Sequence, residues 1–96
     1  MKFEWDEAKR RTNIEKHGID FAEVSPLFDE IVYTFLDTRY DYGEDRHITL
    51  GLLSTRVLVV SHTDRYDRNG DLIIRIISAR KATRNEEAKF FDETRL

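Results

Sequence analysis

The sequence predicts one α+β domain with a central antiparallel sheet. The chain has 96 residues, the length of one small domain. Helical patterns lie towards both ends, whereas apolar residues alternate with a period of two between about residues 31 and 80. The element order is therefore two helices, about four strands and one helix, which is typical of an α+β fold. We expect a single domain over residues 1–96.

A short strand and a helix open the chain. The segment KFEW, residues 2–5, is predicted as a strand. Asp6 stands at an N-cap position and Gly18 at the position after the last helical turn, which predicts a helix over residues 7–17. One face of this helix carries the polar side chains Lys9, Asn13 and Lys16 at helical spacing. His17 lies on a neighbouring line of the same helix.

A second helix is predicted to begin at Asp20. Asp20 and Glu23 have the spacing of a capping box, in which each side chain accepts a backbone hydrogen bond. Pro26 lies beyond the first turn and should kink or split this helix, because it cannot donate to the carbonyl of Ala22. The apolar stripe of the segment is Phe21, Val24 and Phe28.

The remaining elements are four strands and a C-terminal helix. The helix is predicted over residues 83–94, behind Thr83 or Ala82. The strands are predicted at residues 31–36, 46–53, 56–64 and 72–80.

Two turns predict how the last three strands pair. A two-residue turn at Asn69-Gly70 would place Arg68 opposite Asp71, Asp64 opposite Arg75 and His62 opposite Ile77. A two-residue turn at Ser54-Thr55 would place His47 opposite His62.

Side-chain alternation then sorts these strands into two predicted faces. One is predicted as the helix-covered core: Ile48, Leu50, Leu52, Val57, Val59, Ile74 and Ile76. The other mixes polar and apolar side chains: His47, Thr49, Gly51, His62, Asp64 and Arg75, with Leu58, Val60, Ile73 and Ile77. The polar members indicate a functional face, although Asp64 and Arg75 could also form a simple cross-strand ion pair.

These residue types suit RNA cleavage by the neighbouring ribose 2′-hydroxyl. That reaction needs a proton acceptor, a proton donor and cations for the charge that develops on phosphorus. Histidine titrates near neutral pH and arginine binds phosphate. The candidate catalytic residues are His62, Arg80, Arg75, Glu44 and Arg46. The candidate substrate-binding residues are Lys16, His17, His47, Lys81 and Lys9, although the basic residues of the first helix could equally be a solvated face.

Composition restricts the other possibilities. The net charge is -3, so any site for a polyanion must arise from local placement. The chain has no cysteine, and its three histidines show no metal-ligand spacing, so we expect neither a disulfide nor a metal or other cofactor. No leader or membrane-spanning pattern is evident, so we expect a soluble, cytoplasmic protein.

Four segments in order resemble the BrnT family of toxins from type II toxin-antitoxin systems: FEWDEAKRRTNIEKHGIDF, GEDR, VVSHTDR and RIISARKATRNE. The resemblance implies a RelE-like fold and a ribonuclease that arrests translation. It also implies a BrnA-like antitoxin with a ribbon-helix-helix segment, through which the complex would contact operator DNA. The family pattern falls on Lys16, His17, Gly18, Glu44, Arg46, His62, Arg75, Arg80 and Glu86. A non-catalytic module that binds RNA or protein is the alternative.

Overall fold

A five-stranded mixed sheet organises the computed structural model, which describes all 96 residues. The strands follow the order β1-β5-β4-β3-β2 across the sheet. The elements along the chain are β1 (Lys2–Trp5), α1 (Glu7–His17), β2 (Val32–Leu36), β3 (His47–Leu53), β4 (Arg56–Tyr66), β5 (Leu72–Lys81) and α2 (Arg84–Thr94), with 3-10 helices at Phe21–Glu23 and Ser25–Asp29.

The α+β class is confirmed, but the predicted sheet lacked one strand. β1 runs parallel to β5, with Lys2 paired to Ile73 and Trp5 to Ile76. The sheet is therefore mixed rather than wholly antiparallel. The KFEW strand itself was predicted, but its parallel partner could not be found from turns, because a parallel pair has no hairpin to indicate it.

Capping residues mark both ends of α1 and the start of α2, as predicted. The Asp6 side chain accepts from the backbone N–H groups of Ala8 and Lys9, and Gly18 ends α1 at φ 69°. Thr83 caps α2, where its hydroxyl and the carboxylate of Glu86 form a reciprocal capping box.

The predicted second N-terminal helix is wrong. The segment forms two 3-10 helices, in which Glu23 N–H donates to Asp20 O and Val24 N–H to Phe21 O. Pro26 lies in the first turn of the second of these, because it has no N–H to continue an α-helix. The Asp20 carboxylate accepts from Ala22 N–H and also binds the Arg10 guanidinium at 2.8 Å, which ties α1 to this segment.

The β4–β5 turn is one residue longer than predicted. Asp67 N–H donates to Asp71 O at 2.9 Å, so the loop holds three residues, with Gly70 at φ 80°. The Asp67 carboxylate stabilises this loop by accepting from the backbone N–H groups of Asn69 and Asp71. Consequently Asp64 lies opposite Ile74, not Arg75.

A bulge in β5 then restores the predicted pairing. His62 lies opposite Ile76 and Ser61 opposite Ser78, which leaves Ile77 as an extra residue without a partner on β4. Beyond it, Val59 pairs with Arg80. The predicted β3–β4 hairpin is confirmed, since Leu53 pairs with Arg56 and His47 with His62.

The longer turn changes which side chains share a face, and the bulge limits this change to residues 72–76 of β5. On what we call the α1 face, α1 and the 3-10 helices cover the sheet; this face holds Ile19, Phe21, Val24, Leu27, Leu58, Val60, Ile74, Ile76 and Ala79. On the opposite α2 face, α2 packs through Phe90 on a smaller core of Ile48, Leu50, Val57, Val59 and Ala82. Ile74 and Ile76 were therefore predicted on the wrong face. The half-polar face that we expected to be functional is the one more completely covered.

Asn13 closes the edge of β5 where β1 ends. Its side chain donates to Ala79 O at 2.9 Å and accepts from Ala79 N–H at 3.1 Å, as a neighbouring strand would. It also donates to Ile19 O. We predicted Asn13 on the exposed polar stripe of α1, but it is the buried residue of that helix, because these backbone groups need a partner.

Candidate functional site

Part of the α2 face is open and carries polar side chains. The main contacts of α2 are with β2 and β3, which leaves the β4 and β5 part of this face uncovered. Arg75 pairs with Thr63, and Ser61 pairs with Ser78, in the central rows of that area. The exposed Arg75 guanidinium lies 3.7 Å from the Glu4 carboxylate. The arginine therefore lies opposite β1, not against Asp64 as predicted.

Arg80 lies where this open area meets the first turn of α2. Its two terminal nitrogens donate to the two carboxylate oxygens of Glu86 at 2.7 and 2.8 Å. This pairing lowers the pKa of Glu86 to about 2, chiefly through the hydrogen bonds from Arg80. Glu86 is thus a carboxylate at neutral pH, and it holds the Arg80 fork in a fixed orientation.

A pocket of about 230 Å³ adjoins this pair between β2 and α2. The Arg39 side chain borders it. The hydrogen bonds to Glu86 raise the pKa of Arg80, and the nearby positive charge of Arg39 opposes that rise. The guanidinium groups of Arg39 and Arg80 therefore border the same cavity. Its wall includes Phe35, Asp37, Arg39, Ile48, Arg80 and Glu86.

The segment between β2 and β3 is held by the buried carboxylate of Asp37. Asp37 accepts from the Arg39 guanidinium at 2.9 Å and from the Tyr42 hydroxyl at 2.9 Å, so its pKa lies well below the usual range. The Arg46 guanidinium lies 4.1 Å from the centre of the Tyr42 ring and donates to Glu44 at 3.2 Å. Asp37 thereby positions Arg39 beside the pocket, while Tyr42 supports Arg46.

An aromatic groove of about 420 Å³ continues from the arginine pocket along α2. Tyr33 and Phe35 of β2 form one wall, and Asn85 and Lys89 of α2 form the other. The Lys89 ammonium lies 5.8 Å from the centre of the Tyr33 ring. Flat rings beside cations can stack bases and hold phosphates of a single strand.

His62 lies on the other side of the sheet. It is 2% exposed on the α1 face, where its ring packs edge-on against Phe28. Nε2 shares a hydrogen bond with the Thr49 hydroxyl at 2.7 Å, and Nδ1 bonds the Asp64 carboxylate at 2.6 Å. Burial lowers the pKa of His62, while Asp64 opposes the shift. A substrate phosphate cannot contact this ring in the folded structure.

The two predicted histidines do meet, as the β3–β4 register requires. The rings of His47 and His62 are stacked with their centres 5.8 Å apart. The Nδ1 atom of His47 is buried without a hydrogen-bond partner. The structure therefore groups the histidines on the α1 face and the arginines Arg75 and Arg80 on the α2 face, whereas we had predicted His62 and Arg75 together.

The basic residues of α1 border a groove that reaches β5. Lys9, Lys16 and His17 line a cavity of about 330 Å³ whose floor includes Ser78. Ser78 faces the open area, so this stripe lies at its rim. Lys81 is exposed at the end of β5, beyond Arg80.

Sequence reasoning missed several residues of this candidate site. It did not include Arg39, Asp37, Phe35 or Tyr42, and it gave Glu86 no role beyond the family pattern. The run DTRYDYGEDR, residues 37–46, offered a signal, because it alternates charges with tyrosines in a segment with no helix or strand pattern. What the sequence could not indicate was that the start of this run, residues 37–39, borders the same pocket as Arg80.

The side chains offer no evident metal centre, since no three histidine or acidic residues cluster as ligands. No helix is long and apolar enough to cross a membrane. A family model described as "Ribonuclease toxin, BrnT, of type II toxin-antitoxin system" matches residues 5–86. No curated protein matches the chain.

Proposed function

Because the chain belongs to the BrnT family of ribonuclease toxins of type II toxin-antitoxin systems, we propose that it cleaves RNA at the pocket between Arg39 and Arg80. The observation that carries this assignment is the paired guanidinium groups beside an oriented carboxylate, Glu86. The cleavage arrests translation, and it requires no metal ion.

The pocket supplies the charges that the reaction needs. When a ribose 2′-hydroxyl attacks the adjacent phosphate, the bond between phosphorus and the 5′-oxygen breaks, and that oxygen takes a proton from solvent water. Negative charge grows on the phosphoryl oxygens as this happens. Two arginine forks in a partly enclosed site stabilise that charge, an effect typically worth about 10²–10³ in rate for one donor. Because the arginines hold fixed positive charges, this stabilisation does not depend on a bound cation.

Glu86 is the group placed to accept the proton from the 2′-hydroxyl. It lies against Arg80 and is about one-third exposed, so an RNA ribose can reach it. Its pKa near 2 makes it a weak base, because proton transfer to it is thermodynamically uphill at neutral pH. We therefore assign most of the rate enhancement to the arginines and to positioning.

The surroundings of the pocket suit a single strand of RNA. Phe35 and Tyr33 would stack bases, while Lys89 and Arg75 would contact phosphates on either side. The stripe of Lys9, Lys16 and His17 would extend the basic surface at the rim of the open area. This local clustering accounts for RNA binding by a chain whose net charge is -3.

We assign His62 a structural role in place of the catalytic one that the sequence suggested. It is hydrogen-bonded at both ring nitrogens and enclosed by Phe28. Arg46 and Glu44 remain candidates for substrate contact, because they lie in the segment that carries Arg39.

A type II system implies a protein antitoxin, and we propose a BrnA-like ribbon-helix-helix protein that covers the arginine pocket. Operator DNA would then be bound through the antitoxin. The toxin would act in the cytoplasm, where its RNA substrates are.

Replacing Arg80 tests the site. Arg80→Ala should lower the rate of RNA cleavage by about 10²-fold or more, because one of two charge-stabilising groups is lost. Arg68→Ala is the matched control, since Arg68 is an exposed arginine in the loop at the other end of β5. Cleavage is measured on purified, folded variants, and growth arrest on induction in cells. Equal activity of the two variants would place the chemistry elsewhere.

Chelation tests the metal-independent mechanism. The unsubstituted protein should cleave RNA at the same rate in EDTA as without it, whereas loss of activity would show that a metal takes part. If the protein binds RNA but yields no cleaved product in either condition, it is a binding module rather than a nuclease.

A further inference from the structure

The two edges of the sheet differ in how they are protected. β1 carries the charged residues Lys2 and Glu4 within its four residues. The β2 segment, residues 31–36, reads IVYTFL and has no charge, although 36% of the chain is charged. Proteins usually blunt free sheet edges with charges, proline or bulges, and β2 has none of these. Its edge is therefore suited to pairing with another strand.

The hydrogen-bond pattern shows which backbone groups this edge offers. Asp37 N–H donates to Arg46 O at 2.7 Å, so Asp37 is bonded towards β3. Along an antiparallel strand, the backbone N–H and C=O groups of successive residues point alternately to the two neighbouring sides. The backbone groups of Phe35 and Tyr33 therefore also bond to β3. The N–H and C=O groups of Val32, Thr34 and Leu36 therefore point outward.

We propose that this edge pairs with the same edge of a second copy of the chain, about a two-fold axis at Thr34. Antiparallel pairing in this register sets Thr34 opposite Thr34 and Val32 opposite Leu36. Every outward N–H and C=O of the three residues then finds a partner. A two-fold interface must be self-complementary. The outward backbone groups of this strand meet that condition, because they are arranged symmetrically about Thr34.

The side chains agree with the same register. On the α1 face Val32 meets Leu36 of the second copy, and on the α2 face Tyr33 meets Phe35. Leu36 and Phe35 are 47% and 37% exposed in the single chain, and pairing would bury part of that apolar surface. Apolar and aromatic cross-strand pairs of this kind stabilise sheets.

The charges that flank the strand are also complementary. Asp29 and Glu30 precede β2, whereas Arg39, with 60% of its side chain exposed, follows it. In this register Asp29 of each copy lies opposite Arg39 of the other, whose guanidinium also pairs with Asp37 of its own chain. The flanking charges therefore match the register, while the burial of apolar surface supplies the main stabilisation of the dimer.

The proposed dimer goes beyond the cleavage reaction. Tyr33 and Phe35 belong to the aromatic groove, so the grooves of the two copies would lie side by side across the axis. Each copy retains its own Arg80 and Glu86. A chain that stays monomeric would therefore still cleave RNA, and the two proposals can fail separately.

Single cysteines test the register, because the natural chain has none. Opposed residues in a bonded antiparallel pair have Cα atoms about 5.5 Å apart, which suits a disulfide. Thr34→Cys should therefore give a covalent dimer on mild oxidation. In Leu36→Cys the two cysteines would be about 13 Å apart, so little product should form. Equal crosslinking of both variants, or none of Thr34→Cys in folded protein, overturns the proposal.

Sedimentation of the unsubstituted chain, made by cell-free synthesis, gives an independent measurement. A concentration-dependent dimer is expected. Leu36→Lys should shift the sample to monomer because it places a charge on the paired edge, whereas Tyr66→Lys, at a 72% exposed residue of β4, should not. A monomer at all concentrations, or equal effects of the two lysines, would contradict the two-fold pairing.

Discussion

His62 and Arg75 lie on adjacent strands, yet the two faces of the sheet give them opposite environments. His62 is enclosed on the α1 face, with both ring nitrogens bonded to Thr49 and Asp64. Arg75 lies on the α2 face, where nearly half of its side chain is exposed and its one partner, Glu4, is 3.7 Å away. A polar residue whose bonds are all made inside the protein supports the fold, whereas an exposed cation remains available to a ligand.

The loss of His62 should show the largest effect. His62→Ala removes one buried and one partly buried hydrogen bond and leaves a cavity, so the free energy of unfolding should fall by about 3 kcal/mol. Urea unfolding measures this, with the exposed His17→Ala as control, which should change stability by less than about 0.5 kcal/mol. Activity per folded molecule should persist. A stable but inactive His62→Ala would restore the catalytic role that the sequence suggested.

The pH dependence of stability sharpens the same contrast. Burial lowers the pKa of His62, so between about pH 6.5 and its folded pKa the unfolded chain binds a proton that the folded chain does not. The contribution of His62 to the free energy of unfolding should therefore be complete above about pH 6.5 and should fall as the pH drops below that value.

His62→Gln isolates this contribution, because His17 and His47 remain in both proteins. The fall in stability between about pH 6.5 and 5 should be smaller in this variant, as followed by urea unfolding at each pH. Below about pH 4.5 both proteins should lose stability together, since the pKa of Glu86 and that of Asp20 are lowered to about 2 by their arginine partners. Parallel curves throughout would contradict the assignment to His62.

The smallest effect is expected at Arg75. Arg75→Gln should change stability by less than about 0.5 kcal/mol, because its ion pair with Glu4 is exposed. RNA affinity should weaken a few-fold, and the salt dependence of binding should drop by about 0.7, the value for one phosphate contact on a single strand. Binding titrations at several salt concentrations measure both, with Arg68→Gln as control. An unchanged salt dependence would remove Arg75 from the RNA surface.

Short-range signals of the sequence were sufficient for most elements. The capping residues Asp6 and Gly18 indicated both ends of α1, and Thr83 indicated the start of α2, because a cap is a local interaction with the adjoining helical turn. The short turn at Ser54-Thr55 gave the β3–β4 register for the same reason. The four sequence segments that occur in the family's order indicated the BrnT family.

The candidate site that the structure presents was predicted only in part. Arg46, Arg75 and Arg80 were named from sequence, and Arg80 does border the arginine pocket. Arg39 was missed, and His62 was expected to be accessible. These differences have one physical origin. The exposure of a side chain and its distance from other side chains depend on how separate elements pack together, and no local sequence pattern encodes that packing.

The sequence by itself determined the α+β class, both ends of α1, the start of α2 and the family. Only the tertiary structure decided the parallel β1–β5 pair, the bulge at Ile77 and hence which face each residue of β5 occupies. The reason is that side chains alternate strictly along a strand, so one extra residue reverses every assignment beyond it. The extra residue of the Asp67–Asp71 turn moved Arg75 to the open face, whereas the bulge at Ile77 returned residues 78–81 to the faces that were predicted.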